Sequence, residues 1–305
     1  MGVVPRHLHL LAMEQSRHPI RGDVITFGQQ KVYASVAETL AILKRHGVST
    51  RDLPKDFDTR SRIPGDDPRH TNAATVFKLL GAENVYVADA SDYEAPDFVF
   101  DLNEPVADEY EDRFDVVFDY GTLEHVFDVP TGLANIVKML KPGGLAILGY
   151  PTSNAVDHGF YSFSPTLLFD FFAAHGFGDF DCYLNECSLH NLRLRSKVFE
   201  YAGVGGQCPV LSSRMMEVCF WATLQAKPDS FTKPMQSLFV EWWKRARETK
   251  PDQDGARTGS ALRRLARRAV ECIPSRVRPE IIDSALFSRG TRIGRRDNLR
   301  YVGKF

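Results

Sequence analysis

The sequence predicts an α/β protein built on a doubly wound, mostly parallel sheet of seven strands, with a helical extension at the C-terminus. Three observations carry this reading. Short apolar runs ending in glycine or aspartate recur at Asp23–Gly28, Asn84–Asp89 and Phe114–Asp119. Segments with apolar residues three and four positions apart lie between them, the alternation expected of strands and the helices that cover them. The runs are apolar throughout rather than alternately polar, so the strands are buried on both faces, as in a parallel sheet.

Taken in order, residues 1–22 form an N-terminal helical cap, and the first strand is Asp23–Gly28. A helix follows from Val32 to Arg45, with Val32, Val36, Leu40 and Leu43 on one face and Gly47 as its stop. Residues 49–70 are rich in charge, proline and glycine and read as an insertion, long enough for a lid or binding role. Helical spacing resumes at Asn72–Leu80 and leads into the second strand, Asn84–Asp89. Phe98–Asp101 and Phe114–Asp119 are the third and fourth. A helix from Thr131 to Leu140 passes through Lys141-Pro-Gly-Gly144 into the fifth, Leu145–Gly149. Ser164-Pro165 opens a further helix, since serine caps free amides and proline suits the first helical position. Gly178–Leu184 and Glu217–Gln225 complete the sheet. The main domain therefore spans 23–228, followed by a helix at 229–250 and a basic extension at 251–305.

Composition narrows the class. Hydrophobic residues make up 43% of the 305 and charged residues 25%, the balance of a globular chain rather than a disordered one. No apolar run is long enough to span a bilayer. Five cysteines, an odd number with no Cys-x-x-Cys pair, favour a reducing compartment. Met1–Leu11 has no signal-peptide pattern, so a cytoplasmic protein is expected. The net charge of −1 conceals an uneven distribution, because residues 251–305 carry +7 and the remainder −8. Within that basic extension, Leu262, Leu265, Ala269 and Ile273 share one helical face with arginines on the others. Such a helix could contact an anionic membrane, but it lacks aromatic anchors, and docking on the acidic body of the same chain is the simpler expectation.

Ligands of an open parallel sheet bind beyond the carboxyl ends of its strands. The segments there include a linked set: Asp115-Val-Val-Phe-Asp-Tyr-Gly-Thr-Leu-Glu-His-Val-Phe-Asp128, then Leu140-Lys-Pro-Gly-Gly144 before the fifth strand. This set resembles the core of class I S-adenosylmethionine-dependent methyltransferases, with their Rossmann-like fold, and the resemblance extends from about Gly22 to Lys227. It implies S-adenosylmethionine as cofactor. Asp89 then matches the acid that holds the ribose, with Ala90 beside it, and Asp101 and Leu102 match the pair flanking the adenine. Tyr120, Gly121 and Thr122 match the segment lining the methionine side. The first turn departs from the family pattern: Thr26-Phe27-Gly28-Gln29-Gln30 has one glycine where three are common. Phe27, Gly28 and Gln29 are expected at the cofactor, with Gly28 alone allowing close backbone approach.

Two histidines are candidate bases. His125 follows the fourth strand, and its ordinary pKa of about 6.5 would leave it free to deprotonate a hydroxyl; the alternative is a packing role. His158 lies in Asp157–Pro165, which looks like the substrate-side loop of bacterial methyltransferases that modify sugars and small metabolites, and Asp157 could orient its ring. Phe160, Tyr161 and Phe163 could wall the acceptor. No metal is expected: Glu124 and His125 stand together, but Gly121 occupies the place of a further acid. The function expected is methyl transfer to an oxygen of a small molecule or glycan. The alternatives are a scaffold of the same fold that has lost its cofactor, which the missing glycines favour, and an RNA methyltransferase, which the arginine-rich extension favours. Nucleic acid is the less expected partner, because RNA-modifying motifs are lacking, and the oligomeric state is left open.

Overall fold

A computed structural model describes residues 2–61, 63, 65–187, 196–201, 214–236 and 299–304. The chain divides into two units. One comprises Met1–Gly203, Ser213–Pro234 and Asn298–Phe305; the other, Val204–Ser212 and Met235–Asp297, falls almost wholly outside the described residues. The expected amphipathic helix at 260–273 and most of the helix expected at 229–250 lie outside them too. Residues 229–236 themselves are not helical.

In chain order the elements are β1 (Gly2–Val3), α1 (Pro5–Glu14), β2 (Gly22–Phe27), β3 (Lys31–Val32), α2 (Val36–Arg45), α3 (Ala73–Leu80), β4 (Ala82–Asp89), β5 (Phe98–Val99), β6 (Phe114–Tyr120), α4 (Val129–Met139), β7 (Leu140–Ser153), α5 (Pro165–Ala174), β8 (Phe177–Cys187), β9 (Lys197–Tyr201), β10 (Met215–Leu224) and β11 (Leu299–Lys304). The sheet runs β11-β9-β8-β10-β7-β6-β2-β4-β5. Pairs from β5 through β7 are parallel, and β10 enters antiparallel between β7 and β8. Numbered by the order of the parallel strands, the half from β5 to β7 reads 3-2-1-4-5, the doubly wound order whose reversal at the first strand opens a ligand crevice.

The seven expected strands form the core of this sheet, and two more extend it. β9 pairs antiparallel with β8, and β11 pairs with β9. Both are absent from the sequence expectation for a physical reason: β9 is short, and the last residues carry Arg300 and Lys304 within a basic segment. Charged residues are common on edge strands, where they discourage pairing with other chains.

Local chemistry sets the element boundaries. The helix expected from Val32 begins only at Val36, because Ser35 caps it: its hydroxyl accepts from the Glu38 amide at 3.2 Å and its own amide donates to the Glu38 carboxylate at 2.8 Å. Lys31–Val32 instead pairs with β1. The third strand shrinks to Phe98–Val99, while the fifth lengthens to Leu140–Ser153. Asn72, Asp128 and Ser164 cap α3, α4 and α5 through their side-chain oxygens. The 49–70 insertion is irregular and tied down by Asp66, whose carboxylate meets Lys31 at 2.7 Å and His70 at 2.9 Å.

The central strands are buried on both sides: Val24, Ile25 and Phe27 of β2, Val116, Val117 and Phe118 of β6, and Ile147 and Leu148 of β7 are at most 1% exposed. Helix α1 is fastened to the antiparallel end of the sheet by arginine ion pairs and histidine hydrogen bonds. Arg6 and His7 reach Glu217 of β10 at 3.2 and 2.7 Å, and Arg17 and His18, just past α1, each reach Asp181 of β8 at 2.6 Å. The N-terminal segment is thus joined to the sheet rather than resting loosely over it. Cys182, Cys187 and Cys219 are buried free thiols.

Candidate functional site

The site is assembled where β2, β4 and β6 end side by side. β2 closes on Gly28, whose amide donates to the Ala88 carbonyl at 2.7 Å and whose φ of +68° lies in the left-handed region that favours glycine. A β-carbon there would stand 3.6 Å from Thr122 Oγ1 and 3.7 Å from Asp89 Oδ2. The backbone of residue 28 therefore faces both a hydroxyl and a carboxylate across an open space. Asp89 is half-buried at the end of β4, with Oδ1 accepting from the Ser91 amide at 3.2 Å.

Asp119 is the last residue but one of β6, and its fully buried carboxylate builds the turn that follows. It accepts from the Thr122 amide at 2.9 Å, the Leu123 amide at 3.1 Å and the Tyr150 hydroxyl at 2.9 Å. Burial pushes its pKa up to about 6 against the pull of those donors. The turn places the Thr122 hydroxyl on the Phe27 carbonyl at 2.8 Å, locking β6 to the tip of β2.

Gly28, Asp89, Ala90, Asp101, Leu102 and Thr122, all expected at the cofactor, line one cleft together with His125. Four other expected residues are placed differently. Phe27 is buried and meets Thr122 through its carbonyl; Gln29 donates toward the Glu94 carbonyl at 3.4 Å. Gly121 is buried in the turn. Tyr120 is 1% exposed, stacked on Phe118 at 4.5 Å and edge-on to His7 at 4.7 Å. Its side chain belongs to the core because strand residues alternate faces, and residue 120 takes the face under α1.

A second constellation adjoins the cleft. Leu123–His125 form one 3₁₀ turn, and Glu124 within it is fully buried. The Glu124 carbonyl accepts from the amides of Phe160 at 2.7 Å and Tyr161 at 3.2 Å, which clamps the loop between β7 and α5 over the turn. Gly159 makes this approach feasible: φ is +102°, and a β-carbon would come within 2.8 Å of the Glu124 carbonyl oxygen. The clamp sets His158 Nε2 3.6 Å and His125 Nε2 3.9 Å from the same Glu124 Oε1, with the two rings 5.4 Å apart. The histidines thus meet at one carboxyl group rather than facing each other from opposite walls. The carboxyl beside His158 is that of Glu124, not the exposed Asp157 expected to orient it.

Glu124 is a residue that the sequence reading noticed beside His125 but gave no role, for want of a further acid at Gly121. Neither carboxylate oxygen has a hydrogen-bond partner among the described residues, and neither does His158 Nε2. Burial, with the nearby Asp119 charge second, raises the Glu124 pKa. Burial likewise lowers the pKa of both histidines, so their rings are neutral near pH 7 and offer lone pairs. Of the aromatic residues expected to wall an acceptor, Phe160 is 65% exposed and meets the 71%-exposed Phe127 edge-on at 5.8 Å. The Tyr161 hydroxyl donates to the Phe127 carbonyl at 2.9 Å. Phe163 is core, stacked on Tyr150 at 4.2 Å.

Residues 47–148 match the family model described as a methyltransferase domain. That segment runs from the end of α2 into β7 and so excludes the departing Phe27-Gly28 turn. Among solved structures, a SAM-dependent methyltransferase of Thermotoga maritima described as a possible histamine N-methyltransferase is 18% identical, with a TM-score of 0.35 over 72% of this chain and 91% of that one. The 1,6-didemethyltoxoflavin-N1-methyltransferase of Burkholderia thailandensis, solved with 1,6-didemethyltoxoflavin and S-adenosylhomocysteine bound, is 13% identical, with a TM-score of 0.33 over 73% and 78% of the two chains. A search of the curated proteins finds no match to the sequence. Residues 47–148 thus match a methyltransferase domain, and they lie within a doubly wound sheet into which β10 enters antiparallel. The family implies S-adenosylmethionine as its methyl donor.

Proposed function

We propose that the protein transfers the methyl group to an oxygen of a small-molecule or glycan acceptor, held between the cleft and the loop at 154–163. The observation that carries this reading is His125, which lines the cleft and at the same time shares Glu124 with His158. Two lone-pair nitrogens thus stand at the rim of the proposed donor site. An acceptor hydroxyl must lose a proton to react; a histidine there has the chemistry to assist, whereas a neutral amine would need no such group.

Bound S-adenosylmethionine supplies an electrophilic methyl on a sulfonium, displaced in line. The chain's own residues do the rest. Asp89 offers two coplanar acceptor oxygens, the pattern for a ribose diol. The bare backbone at Gly28 leaves room for the donor to lie close, and the cradle between Asp89 and Thr122 fits it because no side chain fills residue 28. Leu102 and Asp101 offer an apolar face and a polar edge for the base. Exposed Phe127 and Phe160 provide a hydrophobic rim for the acceptor, and His125 and His158 are the groups nearest its reacting oxygen.

The scaffold reading rests on the missing glycines, and Gly28 answers it in part: the single left-handed residue stands where the close approach is needed. In this reading the protein acts in a reducing compartment without nucleic acid, and the basic extension plays no part in the chemistry. The test is incubation with methyl-labelled S-adenosylmethionine and paired acceptors differing only in a hydroxyl or an amine. Transfer to the hydroxyl member supports the proposal. Transfer to the amine member alone would overturn oxygen as the target, and failure to bind S-adenosylhomocysteine would return the scaffold reading.

A further inference from the structure

We infer that Glu124, His125 and His158 form a binding site for one divalent transition-metal ion at the edge of the donor cleft. The inference goes beyond the proposed function and rests on it only for the position of the acceptor. Glu124 Oε1 lies 3.6 Å from His158 Nε2 and 3.9 Å from His125 Nε2, and the three ligand atoms all lie within 4.8 Å of one another. These separations are too long for hydrogen bonds. They match ligands that share one ion, because two donors each about 2.0 to 2.2 Å from a metal stand roughly 3 to 4 Å apart.

A second, independent observation points the same way. Glu124 is 0% exposed, yet both of its oxygens, and His158 Nε2 opposite, lack a hydrogen-bond partner among the described residues. A buried carboxylate is normally paired or coordinates a metal. In the two other ligand-type groups among the described residues, each carboxylate has at least one oxygen paired. His7, Glu217 and Cys219, and likewise Glu14, His18 and Asp181, also bring three ligand-type groups together. In the first, Glu217 is taken up by Arg6 and His7; in the second, Asp181 is taken up by Arg17 and His18, and Glu14 accepts from the Tyr183 hydroxyl. Among the described residues, Glu14 keeps one oxygen unpartnered, but of these three groups only Glu124 has both carboxylate oxygens unspent.

The donor set selects the ion. Two imidazoles and one carboxylate suit Zn²⁺, Fe²⁺ or Mn²⁺ rather than Ca²⁺ or Mg²⁺, which prefer oxygen. Three protein ligands leave a position open, the pattern of a catalytic rather than a structural site. The His125 side chain is 49% exposed, so the open side faces solvent next to the cleft. With the ion bound, the two imidazole lone pairs would serve as ligands in place of the base role, and an acceptor hydroxyl on the open side would lose its proton to solvent more readily; its oxygen would then form the new O–C bond as the C–S bond of the donor breaks. The acceptor class is thereby narrowed to molecules that can present a hydroxyl to a metal.

The experiment is calorimetric titration of the full chain with Zn²⁺ and, separately, Mn²⁺ in a non-chelating buffer. It is repeated on Glu124→Gln, His125→Ala, His158→Ala and, as control, Asp157→Asn. The site predicts uptake of one ion per chain, unchanged in Asp157→Asn and weakened more than about tenfold in each ligand variant, the least that loss of even an outer partner costs. The melting temperature should rise with the ion in the wild type and not in Glu124→Gln. Titration with S-adenosylhomocysteine on the same samples separates the two claims, since donor-product binding belongs to the proposed function and ion binding does not. If Glu124→Gln fails to fold, the half-exposed His125→Ala carries the comparison. Uptake of neither ion by the wild type, or equal uptake by the ligand variants, overturns the site.

Discussion

In the proposed reading, Gly28 and Asp89 divide the work of the donor cleft, one by having no side chain and the other by ending a strand in a carboxylate. Asp89→Ala removes charge-assisted hydrogen bonds worth about 1.5 to 3 kcal/mol. S-adenosylhomocysteine should then bind at least about tenfold more weakly, with the melting temperature held, as calorimetry and thermal unfolding would show; unchanged affinity would misplace the ribose. Gly28→Ala should cost stability through its φ of +68°, by about 1 kcal/mol, rather than through crowding, because the new methyl would sit 3.6 Å from its nearest neighbour. The histidines behave as a pair in this account because both lean on Glu124. Either His125→Ala or His158→Ala should lower turnover at saturating substrates by about 10²-fold. Full turnover in both would leave alignment alone as the source of rate.

At the scale of elements, the start of α1 is held by one buried carboxylate, that of Glu217. Burial alone would raise the Glu217 pKa, but His7 and Arg6 overcome it and hold the group well below its ordinary range. The His7 pKa is lowered, chiefly by burial and then by Arg6. Both folded pKa values lie below their unfolded ones, so both contributions are complete above the unfolded values and are lost as pH falls. Stability should decline from about pH 6.5 downward, first through His7 and below about pH 4.5 through Glu217. Glu217→Gln should cost about 3 to 5 kcal/mol at pH 7 by leaving Arg6 buried without its counter-charge, and should flatten the decline below pH 4.5. Urea unfolding across that pH range checks both. These elements also show what a sequence displays. Asp23–Phe27, Phe114–Asp119 and the Ser164-Pro165 start were legible because apolar runs and caps are local signals, and Asp89, Asp101 and Thr122 were legible through the resemblance their neighbours carry. Lys31–Val32 was not, because its β partner is at residues 2–3. Tyr120 was assigned to the cleft from its position, although strand alternation turns its side chain into the core. Glu124 was seen beside His125 but given no role, because its isolation depends on a loop clamped onto it from residues 158–161.

For the whole molecule, the C-terminus is part of the sheet. The sequence reading treats the sheet as complete by Gln225, yet β11 supplies an edge strand from residues 299–304, with half-buried Val302 against the core. Deleting residues 299–305 exposes the edge of β9, so the melting temperature should fall. The donor cleft lies at β2, β4 and β6, across the sheet from that edge, and S-adenosylhomocysteine affinity should be retained. Loss of both together would mean that the edge and the cleft form one cooperative whole. The central claim is that the ends of β2, β4 and β6 hold S-adenosylmethionine despite a first turn with a single glycine. Its most direct test is calorimetric titration of the full chain with S-adenosylhomocysteine. The account predicts saturable binding of one molecule per chain that Asp89→Ala weakens at least about tenfold; no binding heat across temperatures, with the chain folded, would contradict it.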